Sequence, residues 1–191
     1  MKTLLILANP SKQSFSHALA DSYMNSAKAR NEEVTLLDLY ELDQAFLNYE
    51  STTAMKAGNH NGGEKQKMVQ KLLSECDHYV FIFPVWWASM PAILKNFFDV
   101  NFSSGFAFEF EKGKVMPKKL LAGKTAELIY HSDAPAILYK LPLLSGINIR
   151  KHIANSILGF CGIKTIKNLA IWGLRNKSEA EKKKILEKVG V

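Results

Sequence analysis

The chain has 191 residues, of which 47% are hydrophobic and 23% are charged. This length suits one ordinary domain with an apolar core, so we predict a single domain spanning residues 1–191. The net charge of +7 raises nucleic-acid binding as a candidate function. However, the lysines are scattered, with clusters only at 112–119 and 182–184, and no aromatic-basic motif accompanies them. A solvated basic surface is therefore favoured, and we expect no nucleic-acid partner.

The cysteines, apolar segments and histidines argue against a disulfide-rich secreted protein, a membrane protein and a metalloprotein. Cys76 and Cys161 form no disulfide framework, which fits a reducing compartment, and we expect a cytoplasmic protein. The opening segment mimics a signal peptide, but its apolar run from Leu4 to Ala8 is short, and a first buried strand is the better interpretation. No stretch approaches the length of a membrane span, so we expect no membrane insertion. The histidines lack metal-ligand spacing, and we expect no metal site.

The first part of the chain predicts a strand, a helix and a second strand. Lys2 to Ala8 forms the first strand, Phe15 to Ser26 carries apolar residues at helical spacing, and Val34 to Leu39 forms the second strand. Such a unit is parallel and right-handed almost by rule. Residues 40–63 are less regular and end in a flexible, glycine-rich surface segment at 58–63.

The middle of the chain predicts a helix, a buried strand and another helix. Glu64 to Cys76 forms the first of these helices, with Met68 facing inward. The apolar run from Tyr79 to Phe83 is typical of a strand buried on both faces, and Pro84 ends it because proline lacks an amide hydrogen. We expect Ser89 to cap the next helix.

The last part of the chain repeats the alternation. Gly123 to Tyr130 predicts a fourth strand, and Ile149 to Phe160 predicts a helix that Gly162 terminates. Lys164 to Trp172 predicts a fifth strand, and Ser178 caps a final helix. Five strands alternating with helices predict an α/β fold with a doubly wound parallel sheet of strand order 2-1-3-4-5.

Three loops should meet at the carboxyl edge of this sheet, where open α/β folds bind ligands. The loop at 9–16 leads into a helix N-terminus, which suits a phosphate. The loop at 84–88 carries two adjacent tryptophans, and the loop at 131–135 is polar. The sequence contains no GxGxxG fingerprint and no P-loop. His131, Ser132 and Asp133 are the residue types of a hydrolase triad, but three neighbours in sequence cannot adopt the arrangement of nucleophile, base and orienting acid. A ligand with a phosphate and a flat ring would fit, and flavin mononucleotide (FMN) is such a ligand.

The residues also resemble a known family. The segment from Pro84 to Lys95, followed by Phe98-Asp99 and by Gly105 to Phe108, closely resembles the NAD(P)H:quinone oxidoreductases. These flavodoxin-like enzymes include DT-diaphorase and the ancillary reductases of potassium efflux systems. Ser14 to Leu19 is similar to the phosphate loop of the family, and Gly159 to Gly162 is similar to a late family motif.

The resemblance implies a set of cofactor-binding residues. Those that would hold the flavin phosphate are Asn9, Ser14, Phe15 and Ser16. Those that would border the flavin ring are Pro84, Val85, Trp86, Trp87 and Ala88. Those that would close the pyrimidine side of the ring are His131, Ser132 and Asp133. FMN is favoured over FAD because the chain is short and shows no adenine-binding motif.

The resemblance also implies a reaction and a homodimer. NAD(P)H would reduce the flavin and leave, and a quinone or similar acceptor would then enter the same pocket. Tyr139 and His131 are the candidate catalytic residues. Trp87, Phe108 and Phe110 would bind substrate, with both phenylalanines lent by the partner subunit.

The chain departs from the family pattern at several positions. Asn9 stands where many members have histidine, and the segment from His131 to Ala134 replaces a Thr-Thr-Gly-Gly loop. The histidine that accompanies the active-site tyrosine has no clear match, although Ser145 and Asn148 lie nearby in sequence.

Two other functions remain open. A flavodoxin-like electron carrier usually has an acidic docking face, whereas this chain is basic. A regulatory flavoprotein subunit could dock on a membrane transporter through residues 40–63 and the basic loop at 112–119.

Overall fold

The computed structural model describes residues 1–42, 63–139 and 148–190. Its strands are β1 (Lys2–Leu7), β2 (Glu33–Asp38), β3 (His78–Pro84), β4 (Phe108–Glu109), β5 (Lys118–Lys119), β6 (Thr125–His131) and β7 (Lys164–Ile171). Five of them form a parallel sheet in the order β2-β1-β3-β6-β7. This order confirms the predicted 2-1-3-4-5 arrangement, because β6 and β7 are the fourth and fifth strands of that sheet.

Helices cover both faces of the sheet. They are α1 (Phe15–Ala29), α2 (Leu39–Leu42), α3 (Glu64–Glu75), α4 (Ala92–Asn101), α5 within 149–161, and α6 (Glu179–Leu186). Short 3₁₀ helices lie at Ala136–Tyr139 and Leu174–Asn176. No helix of the described ranges combines the length and the hydrophobicity of a membrane span.

Strand β3 lies at the centre of the core, and all seven of its residues are buried. Its alternating side chains divide between two apolar clusters, as expected for a strand covered on both faces. Phe81 packs in one cluster with Phe97 and Phe98 of α4, whereas Ile82 packs in the other with Leu19 of α1. This burial fixes the position of the loop that follows Pro84.

Helix α5 departs from the uniform helix that the sequence predicts. An α-helical turn at Ile149–Lys151 leads into a π-helical segment at His152–Leu158 and a last α-helical turn at Gly159–Cys161. The amide of Gly159 donates to the carbonyl of Ala154, five residues earlier. The predicted termination at Gly162 is confirmed, since its φ of 95° is left-handed.

Two local predictions are wrong. Ser89 does not cap α4, which begins after Pro91; Ser89 instead closes a tight turn with Trp86. Met68 is 47% exposed, because Val69 and Leu73 are the apolar residues of α3 that face the core.

The basic segment at 112–119 is also more regular than predicted. Its end forms β5, which pairs antiparallel with β4 as the second strand of a hairpin. The expectations for 43–62, including most of the flexible segment, and for Ser145 lie outside the described residues.

Candidate active site

The N-terminus of α1 is built to receive an anion. Ser14 is its extended N-cap residue, and the Ser14 hydroxyl accepts the amide hydrogen of His17 at 3.4 Å. The amides of Phe15 and Ser16 precede it in the first turn, where an amide has no acceptor within the helix. This turn contains no acidic side chain. The positive end of a 15-residue helix therefore faces the rim without an internal counter-charge.

A buried hydrogen-bonded triad lies under this loop. The side-chain amide of Asn9 donates to the hydroxyl of Ser16 at 3.1 Å, and that hydroxyl lies 2.7 Å from Nε2 of His131. Burial lowers the pKa of His131 to about 4, although Asp133 acts in the opposite direction. The Ser16 hydroxyl accepts from Asn9, and it donates to Nε2 in the tautomer of the neutral imidazole that carries its proton on Nδ1. The Asn9 and Ser16 side chains, predicted to hold the phosphate, are thus paired with each other and with His131.

A second set of contacts fixes the outer side of the phosphate loop. Asp38 ends β2, and its Oδ2 accepts from Nζ of Lys12 at 2.7 Å and lies 3.4 Å from Nε2 of His17. The other ring nitrogen of His17 lies 3.0 Å from the hydroxyl of Ser14. Sequence reasoning missed these positioning contacts. The available signal was an aspartate ending the strand that borders β1.

The loop after β3 is a strained turn. The amide of Trp86 donates to the carbonyl of Ser89 at 3.0 Å, and the reverse bond measures 2.9 Å. The two central residues, Trp87 and Ala88, have φ values of 49° and 57°. Such turns normally use asparagine and glycine, because left-handed backbone costs other residues about 1–2 kcal/mol each. Trp87 is 99% exposed, so its indole has no role in the core.

The loop after β6 is held in place from several directions. The carbonyl of His131 accepts the amide hydrogen of Val85 at 2.7 Å, which joins this loop to the one after β3. The Ser132 hydroxyl lies 3.0 Å from the hydroxyl of Tyr139, whose ring lies 4.4 Å from that of Trp172. Tyr139 is therefore half-buried at the rim, as the last residue of the 3₁₀ helix at Ala136–Tyr139.

The three predicted loops meet at one edge because β1, β3 and β6 are neighbours in the sheet. A depression of about 430 Å³ beside the α1 N-terminus joins the first loop to the third, since both Ser14 and Asp133 line it. Arg175 and Lys182 add cationic side chains to its wall, which the sequence did not indicate. Among the described residues, no cluster of three or more histidine, cysteine or acidic side chains could hold a metal ion.

Comparison with known proteins identifies the family. A family model described as the flavodoxin-like fold matches residues 1–190. The FMN-dependent NADH:quinone oxidoreductase of Caldicellulosiruptor saccharolyticus is 30% identical over 175 residues, which cover 88% of this chain and 84% of that protein. The chain belongs to the NAD(P)H:quinone oxidoreductase family of the flavodoxin-like fold.

Two further comparisons support the family and the fold respectively. NAD(P)H dehydrogenase [quinone] 1 of Cavia porcellus is 26% identical over 201 residues, covering 91% of this chain and 69% of that protein. The crystal structure of a Streptococcus mutans protein superposes with a TM-score of 0.85 at 28% identity, covering 100% of this chain and 97% of that one.

The remaining predicted substrate residues of this quinone oxidoreductase lie apart from the rim loops. Phe108 contacts Phe110 and Phe160 at ring-centroid distances of 5.7 and 5.0 Å, and Phe110 is 59% exposed. Phe108 and Phe160 line a surface cleft of about 270 Å³ between α4 and α5, and no rim-loop residue lines that cleft.

Proposed function

We propose that this protein is an FMN-dependent NAD(P)H:quinone oxidoreductase. One juxtaposition carries the proposal: amides without an acceptor inside helix α1 lie at its N-terminus, one strand away from a strained turn that exposes Trp87. The first feature suits a phosphate, and the second offers an aromatic surface beside a flat ring. Relatives named FMN-dependent NADH:quinone oxidoreductase and NAD(P)H dehydrogenase [quinone] support the same function.

The residues present fit FMN. The amides of Phe15 and Ser16, with the hydroxyl of Ser14, would hold the phosphate, because the acceptor-free helix end has no acidic side chain of its own. The remaining contacts would come from the two other rim loops, at 84–88 and 131–133. FMN held there would supply hydride transfer from NAD(P)H to the acceptor, and a quinone acceptor needs a proton as well to become the hydroquinone.

The chain's own side chains would orient the substrates and supply the proton. The exposed indole of Trp87 would stack on the nicotinamide and then on the quinone, a contact that contributes about 0.5–1.5 kcal/mol beyond the buried area. The hydroxyl of Tyr139 would donate the hydrogen bond or proton, oriented by Ser132 at 3.0 Å. His131 would act through Ser16 as a positioning residue, since its Nε2 is already bonded inside the protein.

A homodimer would complete the substrate pocket. Phe110 is largely exposed, and Phe108 borders a cleft that the rim loops of the same chain do not line. Both features fit aromatics that serve the active site of a partner subunit. Light scattering with size-exclusion chromatography measures the mass directly, and a monomer at micromolar concentration would contradict this part of the proposal.

The two thiols support a cytoplasmic location. Cys76 and Cys161 are both free and buried, and burial raises the pKa of the Cys161 thiol to about 11. Such thiols are unreactive and form no stabilising bridge. A reducing compartment suits them, and we place the protein in the cytoplasm.

The deciding experiment is to titrate the purified protein with FMN and with FAD, and to follow quenching of flavin fluorescence. Tight binding of FMN, followed by NAD(P)H oxidation that requires an added quinone, is the expected result. A protein that binds neither flavin would exclude the function, whereas FMN binding without NAD(P)H oxidation would favour an electron carrier.

A further inference from the structure

The β4–β5 hairpin carries an apolar tip that the enzyme function above does not use. We call residues 108–119 the lysine hairpin. At its tip, Val115 is 90% exposed and Met116 is 67% exposed. Single exposed apolar side chains are common on soluble proteins, but two adjacent ones in the loop of a hairpin form a small apolar patch.

Positive charge surrounds this tip. The lysine hairpin contains four lysines against two glutamates, namely Lys112, Lys114, Lys118 and Lys119 against Glu109 and Glu111. The glutamates are matched by part of that charge, since Lys114 pairs with Glu111 and Lys118 lies opposite Glu109 in the strand register. The hairpin therefore keeps an excess of positive charge on a chain whose net charge is +7.

We propose that the tip of the lysine hairpin inserts into the surface of an anionic lipid bilayer. Lysines favour anionic headgroups, while their methylene stems accommodate the apolar boundary below. Val115 and Met116 would enter that boundary between the flanking lysines. The lipid is favoured over a protein partner because two side chains offer far less area than the roughly 800 Å² per partner of a stable protein interface.

This inference rests on the proposed function when it names the substrate class. The base of the same hairpin carries Phe108 and Phe110, the predicted substrate-binding aromatics. A tip held in lipid would bring those aromatics to the membrane surface. The physiological acceptor is then a quinone with a long isoprenoid tail, dissolved in the bilayer.

Vesicle sedimentation tests the binding without any turnover. The FMN-loaded protein is mixed with phosphatidylcholine vesicles that contain about 30 mol% phosphatidylglycerol, or with phosphatidylcholine alone. Binding to the anionic vesicles that weakens with added salt is expected, with little binding to the neutral ones. If the protein stays in the supernatant with both kinds of vesicle, the proposal is overturned.

Paired variants separate the hairpin from the rest of the surface. Val115→Ser/Met116→Ser and Lys112→Gln/Lys114→Gln should each lower the vesicle partition coefficient by about tenfold. Met68→Ser and Lys183→Gln/Lys184→Gln remove equivalent groups from α3 and α6 and should leave it unchanged. A tip variant that binds like the parent protein, or one that instead changes the oligomeric mass, would assign the tip another role.

Turnover assays keep this inference distinct from the proposed function. With a short, water-soluble quinone the tip variants should match the parent enzyme. With a long-tailed quinone dissolved in the anionic vesicles, their rate should fall by about the loss in partition. If the parent protein reduces neither the water-soluble quinone nor the lipid-dissolved quinone, the result counts against the proposed enzyme function. Normal rates of the tip variants with the lipid-dissolved quinone would count against the membrane-bound acceptor alone.

Discussion

The hydroxyl of Ser16 lies 2.7 Å from Nε2 of His131, and this contact joins residues 115 positions apart across the intervening strand β3. Both side chains are buried. The contact thereby couples the phosphate loop after β1 to the polar loop after β6. It also keeps a neutral imidazole buried in the wall of the site. The free energy of unfolding therefore depends on pH.

His131 should make the protein lose stability in mild acid. Its folded pKa of about 4 lies below the ordinary histidine pKa of 6.5, so between these pH values the unfolded state binds the extra proton. The contribution of His131 to the free energy of unfolding is therefore fully present above about pH 7.5. The free energy of unfolding falls by about 2 kcal/mol by about pH 5, and the decrease levels off below the folded pKa. Urea unfolding at several pH values measures this slope.

Variants assign that slope to one histidine. His131→Gln places an amide oxygen near the position of Nε2 and so keeps an acceptor for the Ser16 hydroxyl, but it cannot titrate. The unfolding free energy of this variant should therefore lose most of the acid dependence. His152→Gln is the matched control, because it removes an exposed histidine from the cleft between α4 and α5. If both variants retain the parent slope, another group carries the acid dependence.

Sequence periodicity was sufficient for the fold. The unbroken apolar run of β3 marked the central strand, and the alternation of strands with helices then left few topologies. The same logic brought the three rim loops together, because parallel strands end at one edge. These inferences depend on the alternation of side chains along each element, which the sequence displays directly.

The contacts within the site were beyond sequence reasoning. The pairing of Ser16 with His131 depends on which rotamers the folded loop permits, and no spacing encodes it. The left-handed turn at Trp87-Ala88 uses residues that normally avoid that conformation, so turn rules pointed to a Ser89 helix cap instead. The π-helical segment of α5 likewise depends on packing, and only Gly159 hints at the close approach of the Ala154 carbonyl.

Asp38 should affect flavin binding without touching the flavin. Asp38→Asn removes the carboxylate that holds Lys12 and faces His17, which loosens the outer side of the phosphate loop. We expect the dissociation constant for FMN to rise about fivefold to tenfold, measured by flavin fluorescence. Glu41→Gln is the control, because Glu41 also pairs with Lys12 but is exposed. An equal effect of both variants would point to general electrostatics instead of positioning.

Ala88→Gly should relieve the strained turn. Glycine adopts left-handed backbone without the clash that the alanine β-carbon causes, so the free energy of unfolding should rise by about 1 kcal/mol. Denaturant unfolding measures this change. Ala92→Gly, in the first turn of α4, is the control and should be destabilising by about 0.5–1 kcal/mol. Destabilisation by Ala88→Gly as well would mean that the turn stores no such strain.

Trp87 should serve function and not stability. Because its indole is 99% exposed, Trp87→Ala should change the free energy of unfolding by less than about 0.5 kcal/mol. Loss of stacking should raise the KM for quinone about twofold to tenfold. Phe83→Ala, at a buried ring that stacks on Tyr130, is expected to lose about 3–5 kcal/mol of stability instead. Unchanged steady-state kinetics of Trp87→Ala would remove Trp87 from the substrate site.

We expect Tyr139 to contribute to protonation of the quinone and not to FMN binding. Tyr139→Phe keeps the ring beside Trp172 but removes the hydroxyl that lies 3.0 Å from Ser132. If this hydroxyl protonates the quinone, kcat should fall about a hundredfold while FMN affinity stays within about twofold. Tyr130→Phe is the matched control, because it also removes one tyrosine hydroxyl, which accepts a long 3.4 Å contact from Asn168. Stopped-flow reduction of the FMN by NAD(P)H should be normal in both variants, since only the oxidative half-reaction needs the proton. A slowed reductive step in Tyr139→Phe, or a normal kcat, would contradict the assignment of Tyr139 as proton donor.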